Sequence, residues 1–92
     1  MSIVVASDAK DRMKERVVGI VQDIVERRAI NRPIQADEDL REAGLNSLDM
    51  VNLMLAVEAE FGLEIPDTDM TLRNFRSIAA IDAFVSSLLA DR

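Results

Sequence analysis

Gly44-Leu45-Asn46-Ser47-Leu48-Asp49-Met50-Val51-Asn52-Leu53-Met54-Leu55-Ala56-Val57-Glu58-Ala59-Glu60-Phe61-Gly62 is the stretch on which the fold turns. Gly44 permits a turn before it, and Gly62 supplies the residue that most easily takes the left-handed conformation past a helix end. One helix is therefore expected from Ser47 to Phe61. At about 100° per residue, Met50, Leu53, Met54, Val57 and Phe61 share one stripe. Nearly opposite lie Leu48, Val51 and Leu55 with Ala59, divided from the first stripe by Asp49 and Glu60 on one side and Glu58 on the other. The first stripe belongs in a core, while the second must meet a loop, the short helix or a partner protein.

Upstream, Met13, Val17, Ile20, Val21 and Ile24 recur at three- and four-residue spacing, predicting a helix capped by Ser7 or Asp8 and running to about Ala29. Gly19 inside it costs about 1 kcal/mol relative to Ala, which close packing against a neighbour would excuse. From Asn31 to Asn46 the pattern lapses: Pro33 breaks the helix, Asp37, Glu38 and Asp39 form an acidic cluster, and Leu40 and Leu45 are the expected anchors of a long loop. Downstream, Asp67 or Thr68 can cap one short helical turn around Met70 to Arg73. Ser77 can cap a last helix through Leu89, with Ile78, Ile81, Phe84, Val85 and Leu88 as its buried stripe. With no sustained β-alternation, the expected fold class is all-α: a four-helix bundle with a long loop between helices 1 and 2 and a short third helix. Residues 1–7 are expected to be a flexible N-terminal extension and 8–92 a single domain.

The 92 residues include no Cys and no His, which removes disulfides, thiolate ligands, imidazole ligands and the neutral-pH proton shuttle. Ser47 as a nucleophile would need a base, and Lys10 and Lys14 lie on a helix remote in sequence, so the chain is not read as an enzyme. The net charge of −6 is uneven: residues 35–70 carry ten acids and only Arg41, whereas both flanks are mildly basic. Such a centre repels nucleic acid and anionic membrane and attracts a basic protein patch. Ile3 to Ala6 is too short for the apolar part of a signal peptide, so a cytoplasmic protein is expected.

Neither Asp37, Glu38 and Asp39 nor Asp67 and Asp69 show the ligand series of a calcium loop, and both runs read as solvated charge with no metal. Lys10, Arg12, Lys14 and Arg16, interleaved with Asp11 and Glu15, read as a solvated helix face. Arg73 and Arg76 are second-rank candidates for contact with an acidic or phosphate group. Ser47 has two readings. It can be a plain helix N-cap, or a hydroxyl placed where the helix N–H groups and the positive end of the macrodipole favour an attached phosphate.

Gly44-Leu45-Asn46-Ser47-Leu48-Asp49, followed by Leu53, Ala56, Val57, Glu58, Glu60, Phe61, Glu64, Ile65, Pro66 and Asp67, resembles the acyl carrier protein family. The likeness covers about residues 13 to 90. It implies that a phosphopantetheinyl transferase moves 4′-phosphopantetheine from coenzyme A onto Ser47, so that a reactive thiol arrives in a chain that has none. It also implies a non-catalytic carrier, expected to be monomeric, served by a loading ligase and downstream acceptor enzymes. The implied partner-facing residues are Asn46, Leu48, Asp49, Val51, Asn52, Leu55 and Glu58, with Asp49 and Glu58 as acidic guides.

Three positions depart from the family pattern. Asn46 stands where the motif usually has Asp, and Asn52 and Ala59 stand where fatty-acid carriers resemble one another in having acids. The resemblance therefore points to a specialised stand-alone carrier of an acyl or aminoacyl group, including one loaded by a separate ligase, rather than to housekeeping fatty acid synthesis. Met50, Met54 and Met70 could line a slot for an aliphatic chain, but methionines at helical spacing read first as core filling. The alternative from another class is an unmodified acidic helical adaptor in which Ser47 only caps.

Overall fold

The computed structural model describes residues 5–90, with side chains described from Arg12 onwards. Helix α1 spans Val5–Arg27, α2 Leu40–Ala43, α3 Ser47–Phe61 and α4 Ile78–Ala90, with a 3-10 turn at Asp67–Asp69 between the last two. No strand occurs among the described residues, in line with the expected all-α bundle. Helix α1 packs against both α3 and α4, burying Val17, Val21, Ile24 and Val25 against Met50, Leu53, Met54 and Val57 and against Ile78, Ile81 and Val85. Met50 and Met54 are core filling, and Met70 packs on the core from its edge. No described helix is long and apolar enough to cross a membrane.

Both ends of α1 differ from expectation. The helix is already formed at Val5, so residues 5–7 are part of it; residues 1–4 and the side chains of Ser7 and Asp8 lie outside the described residues. At the other end it stops at Arg27. The Arg28 amide still bonds the carbonyls of Ile24 (3.3 Å) and Val25 (3.1 Å), and the Ile30 amide returns to Val25 (3.1 Å). This corner requires φ of +61° at Ala29, a left-handed conformation that costs a residue with a Cβ about 1–2 kcal/mol. The packing excuse for Gly19 also fails, because nothing lies within 4 Å of where its Cβ would stand. Gly19 lies on an open groove between α1 and α3, together with Ile20, Ile24, Asn52, Ala56 and Ala59.

The long loop holds a helix that periodicity could not show. Asp39, read as solvated charge, is the N-cap of α2: its Oδ1 accepts from the amides of Arg41 (2.8 Å) and Glu42 (3.1 Å). Glu38 likewise has a partner, its carboxylate taking both terminal nitrogens of Arg32 and the Gln35 amide (3.1 Å). Gly44 ends α2 at φ +128°, and a Cβ there would sit 3.0 Å from Ile30 Cδ1, so both conformation and space demand glycine. Leu40 and Leu45 are the buried anchors expected, joined by Ile34. Bonds from the Leu40 amide to Arg76 (2.8 Å) and from the Ala79 amide to Ala36 (2.8 Å) stitch the loop to the start of α4.

The short third element forms earlier than expected, as the 3-10 turn at Asp67–Asp69, with no side-chain cap from Pro66 and with Met70 to Arg73 outside it. The turn that follows buries Phe75, which meets Phe84 edge-on with ring centroids 5.6 Å apart. Ser77 caps α4 as expected, its Oγ accepting from the Ala80 amide at 3.1 Å.

Candidate functional site

The first turn of α3 is closed by a reciprocal pair of hydrogen bonds. Asn46 is the N-cap: its Oδ1 accepts from the Asp49 amide (2.8 Å), and Asp49 Oδ2 accepts from the Asn46 amide (2.9 Å). Ser47 is consequently the first helical residue and not the cap. Its side chain is exposed, and the capping that a serine would have supplied is done by its neighbour. The reading of Ser47 as a mere cap, on which the adaptor alternative rested, loses its structural basis.

Asp49 turns inward. Its side chain is only 11% exposed, and Oδ2 also accepts from Arg28 Nε at 2.6 Å, so one carboxylate oxygen joins the end of α1 to the start of α3. The guanidinium holds the Asp49 carboxyl below the usual carboxylate range; burial pushes the other way, and the Asn46 amide adds to the lowering. Glu58 is half-buried, and its Oε2 accepts from the Ile65 amide (2.8 Å), tying down the chain after the helix. Near the far end Glu60 Oε2 and the Glu60 carbonyl both accept from Arg16 at 2.6 Å, while the same guanidinium stands 4.5 Å from the centre of the Phe61 ring.

All three acids of α3 are thus bonded within the molecule; Glu60 stays exposed at the far end, and the face that continues from Ser47 is apolar. Leu48 is 65% exposed, Val51 48% and Leu55 52%, and these three continue from Ser47 along one face. Asn46 and Asn52 are exposed as expected, Asn52 standing at the groove towards α1. Exposed Arg73 and Arg76 lie beyond the 3-10 turn. Sequence reasoning missed Arg28 altogether and read Arg16 as solvated. The spacing of Asn46 and Asp49, three residues apart across a helix start, was the available sign that Asp49 would be drawn inward.

The residues at this helix end fit a phosphodiester on Ser47. The hydroxyl is exposed, Asn46 relieves it of capping, and among the described residues no side chain accepts from the Ser47 or Leu48 amide, so two helix N–H groups remain to favour an anion.

Comparison with known proteins agrees. Residues 15–81 match the family described as phosphopantetheine attachment site. Aminoacyl carrier protein 1 of Bradyrhizobium diazoefficiens is 38% identical over 77 residues, covering 84% of this chain and 86% of the relative. Two crystal structures of glycine:carrier protein ligases hold similar chains. The first is an engineered Bradyrhizobium japonicum ligase complexed with a carrier protein from Agrobacterium tumefaciens and AMP. It matches with a TM-score of 0.70 and 32% identity, over 79% of this chain and 97% of that one. The second, the Bradyrhizobium japonicum ligase complexed with glycylated carrier protein, matches with a TM-score of 0.64 and 38% identity, over 76% and 95%. The chain belongs to the acyl carrier protein family, which holds 4′-phosphopantetheine covalently.

Proposed function

We propose that Ser47 carries the 4′-phosphopantetheine, placed there from coenzyme A by a phosphopantetheinyl transferase, and that the carrier holds an aminoacyl group loaded by a separate ligase. The observation that carries the assignment is the exposed Ser47 hydroxyl at the first position of α3, left free of capping by Asn46. The bound group supplies the thiol that this cysteine-free chain lacks. The aminoacyl cargo is supported by relatives that are aminoacyl carrier proteins and by similar chains solved with glycine:carrier protein ligases. Loading and acceptor enzymes dock on Leu48, Val51 and Leu55 beside the arm, with Asn46 and Asn52 flanking them. Asp49 and Glu58 serve that face from within, as braces. The chain is a substrate of other enzymes and not itself a catalyst, and it works in the cytoplasm.

Intact-protein mass spectrometry tests this after incubation with coenzyme A and a broad-specificity transferase. Wild type should gain one phosphopantetheine and Ser47→Ala none, with Ser47→Ala unfolding within about 0.5 kcal/mol of wild type because the cap is elsewhere. The modified chain, offered to a glycine:carrier protein ligase with ATP and glycine, should then gain one glycyl group. Modification without glycylation, and with acceptance of a fatty acyl group instead, would overturn the aminoacyl assignment alone.

A further inference from the structure

The arginines at the end of α1 have different uses. Arg27 bonds Asp23 within its own helix (3.0 Å), and Arg32 bonds Glu38 within its own loop. Arg28 reaches across the bundle to α3, 21 residues away, and takes an oxygen already engaged by the Asn46 amide. The two hydrogen bonds between Asn46 and Asp49 span only four residues. They fix the shape of the turn that contains Ser47 and Leu48, but they do not fix where that turn stands relative to the rest of the molecule. Arg28 does. Its backbone is held by the carbonyls of Ile24 and Val25, so its Cα moves with α1, and its side chain carries that frame to Asp49. Ile30 packs over Gly44 closely enough that a Cβ there would meet its Cδ1 at 3.0 Å, so the loop is held near the same corner.

We infer that Arg28 is a positioning residue for the modification of Ser47, acting through Asp49 to hold the first turn of α3 where the hydroxyl can be presented to the transferase. This rests on Ser47 being the attachment residue. Arg16 at the far end of α3 makes an ion pair of the same length, yet has no bond to the first turn. It therefore serves as the control that separates position from stability.

The test is steady-state transfer of phosphopantetheine to the full chain, well below every variant's melting temperature, comparing wild type, Arg28→Met, Arg28→Lys and Arg16→Met. Arg28→Met keeps the length of the stem and loses the donor, and should lower kcat/KM about tenfold, a scale typical of small misplacements of a reacting group. Arg28→Lys, which keeps a cationic donor for the single oxygen used, should restore it to within about threefold of wild type. Arg16→Met should leave kcat/KM unchanged while lowering the melting temperature. Unchanged kcat/KM in Arg28→Met, or an equal fall in Arg28→Met and Arg16→Met, would overturn the inference. Should Arg28→Met not fold, Asp49→Asn decides, since it keeps an acceptor for the Asn46 amide and loses the ion pair: a rate equal to that of wild type overturns the inference, and a clear loss supports it. Absence of modification in wild type, or its persistence in Ser47→Ala, would instead remove the attachment reading itself.

Discussion

The two ends of α3 are held by the same kind of bond and to different effect. At its start Arg28 meets Asp49, at its end Arg16 meets Glu60, and both contacts are 2.6 Å long. At the start the carboxylate is 11% exposed and shares its oxygen with a backbone amide; at the end both partners are open to water, 48% and 39% exposed. Arg28 itself is 43% exposed, so the difference lies in the carboxylate: losing Arg28 strands the buried Asp49 oxygen that also holds the first turn, and this is how the first pair sets geometry. The second trades one solvated contact for another and gains mainly from the Arg16 stem and guanidinium covering Phe61. Equal distances therefore do not imply equal work.

Truncation separates the two ends of α3. Asp49→Ala should cost about 2 kcal/mol in urea unfolding, from the lost first-turn hydrogen bond to the Asn46 amide and the lost charge-assisted bond to Arg28, whereas Glu60→Ala should cost under about 1 kcal/mol. Equal losses would show that burial does not separate the two ends.

Acid sharpens the difference between the ends. Asp49 is held below the ordinary carboxylate range by Arg28, so its contribution is complete above that range and is lost as pH falls through it towards the lowered value. Glu38, lowered to about 2 by Arg32 and the Gln35 amide, acts in the same sense. Asp49→Asn should therefore lose stability relative to wild type at pH 7, and the gap should narrow as pH drops below about 4. A gap independent of pH would mean that the ion pair contributes nothing.

The smallest effect concerns the corner that launches Arg28 towards α3. Ala29 sits at φ +61°, so Ala29→Gly should relieve left-handed strain and raise stability by about 0.5–1 kcal/mol, less than the full strain because glycine also frees the unfolded chain. A fall in melting temperature would show that the Ala29 methyl holds the corner in a way its backbone angle does not reveal.

What was legible before the fold was known follows a physical rule. Helix α3 was read with both its bounds, its core stripe and its second apolar face, because fifteen residues between two glycines display the period fully. Leu40 and Leu45 were legible as anchors because a long loop has few other apolar residues to bury. Helix α2 was not, since four residues are barely more than one turn and show no period, and its cap looked like one more acid in an acidic run. The 3-10 turn was displaced for the same reason: Asp67 and Thr68 can each cap a turn, and three residues show no period.

The sequence by itself determined the helical class, the faces that must be buried and the serine at the head of α3, all of which depend on neighbours within a few residues. Only the tertiary structure decided which charges are free. A solvated acid and a paired one look alike along a chain, and the partners of Asp49 and Glu60 stand 21 and 44 residues away. That is why Asp49, expected as an outward acidic guide, became an internal brace, and why the turn that holds Ser47 is fixed by Asn46, Asp49 and Arg28 together.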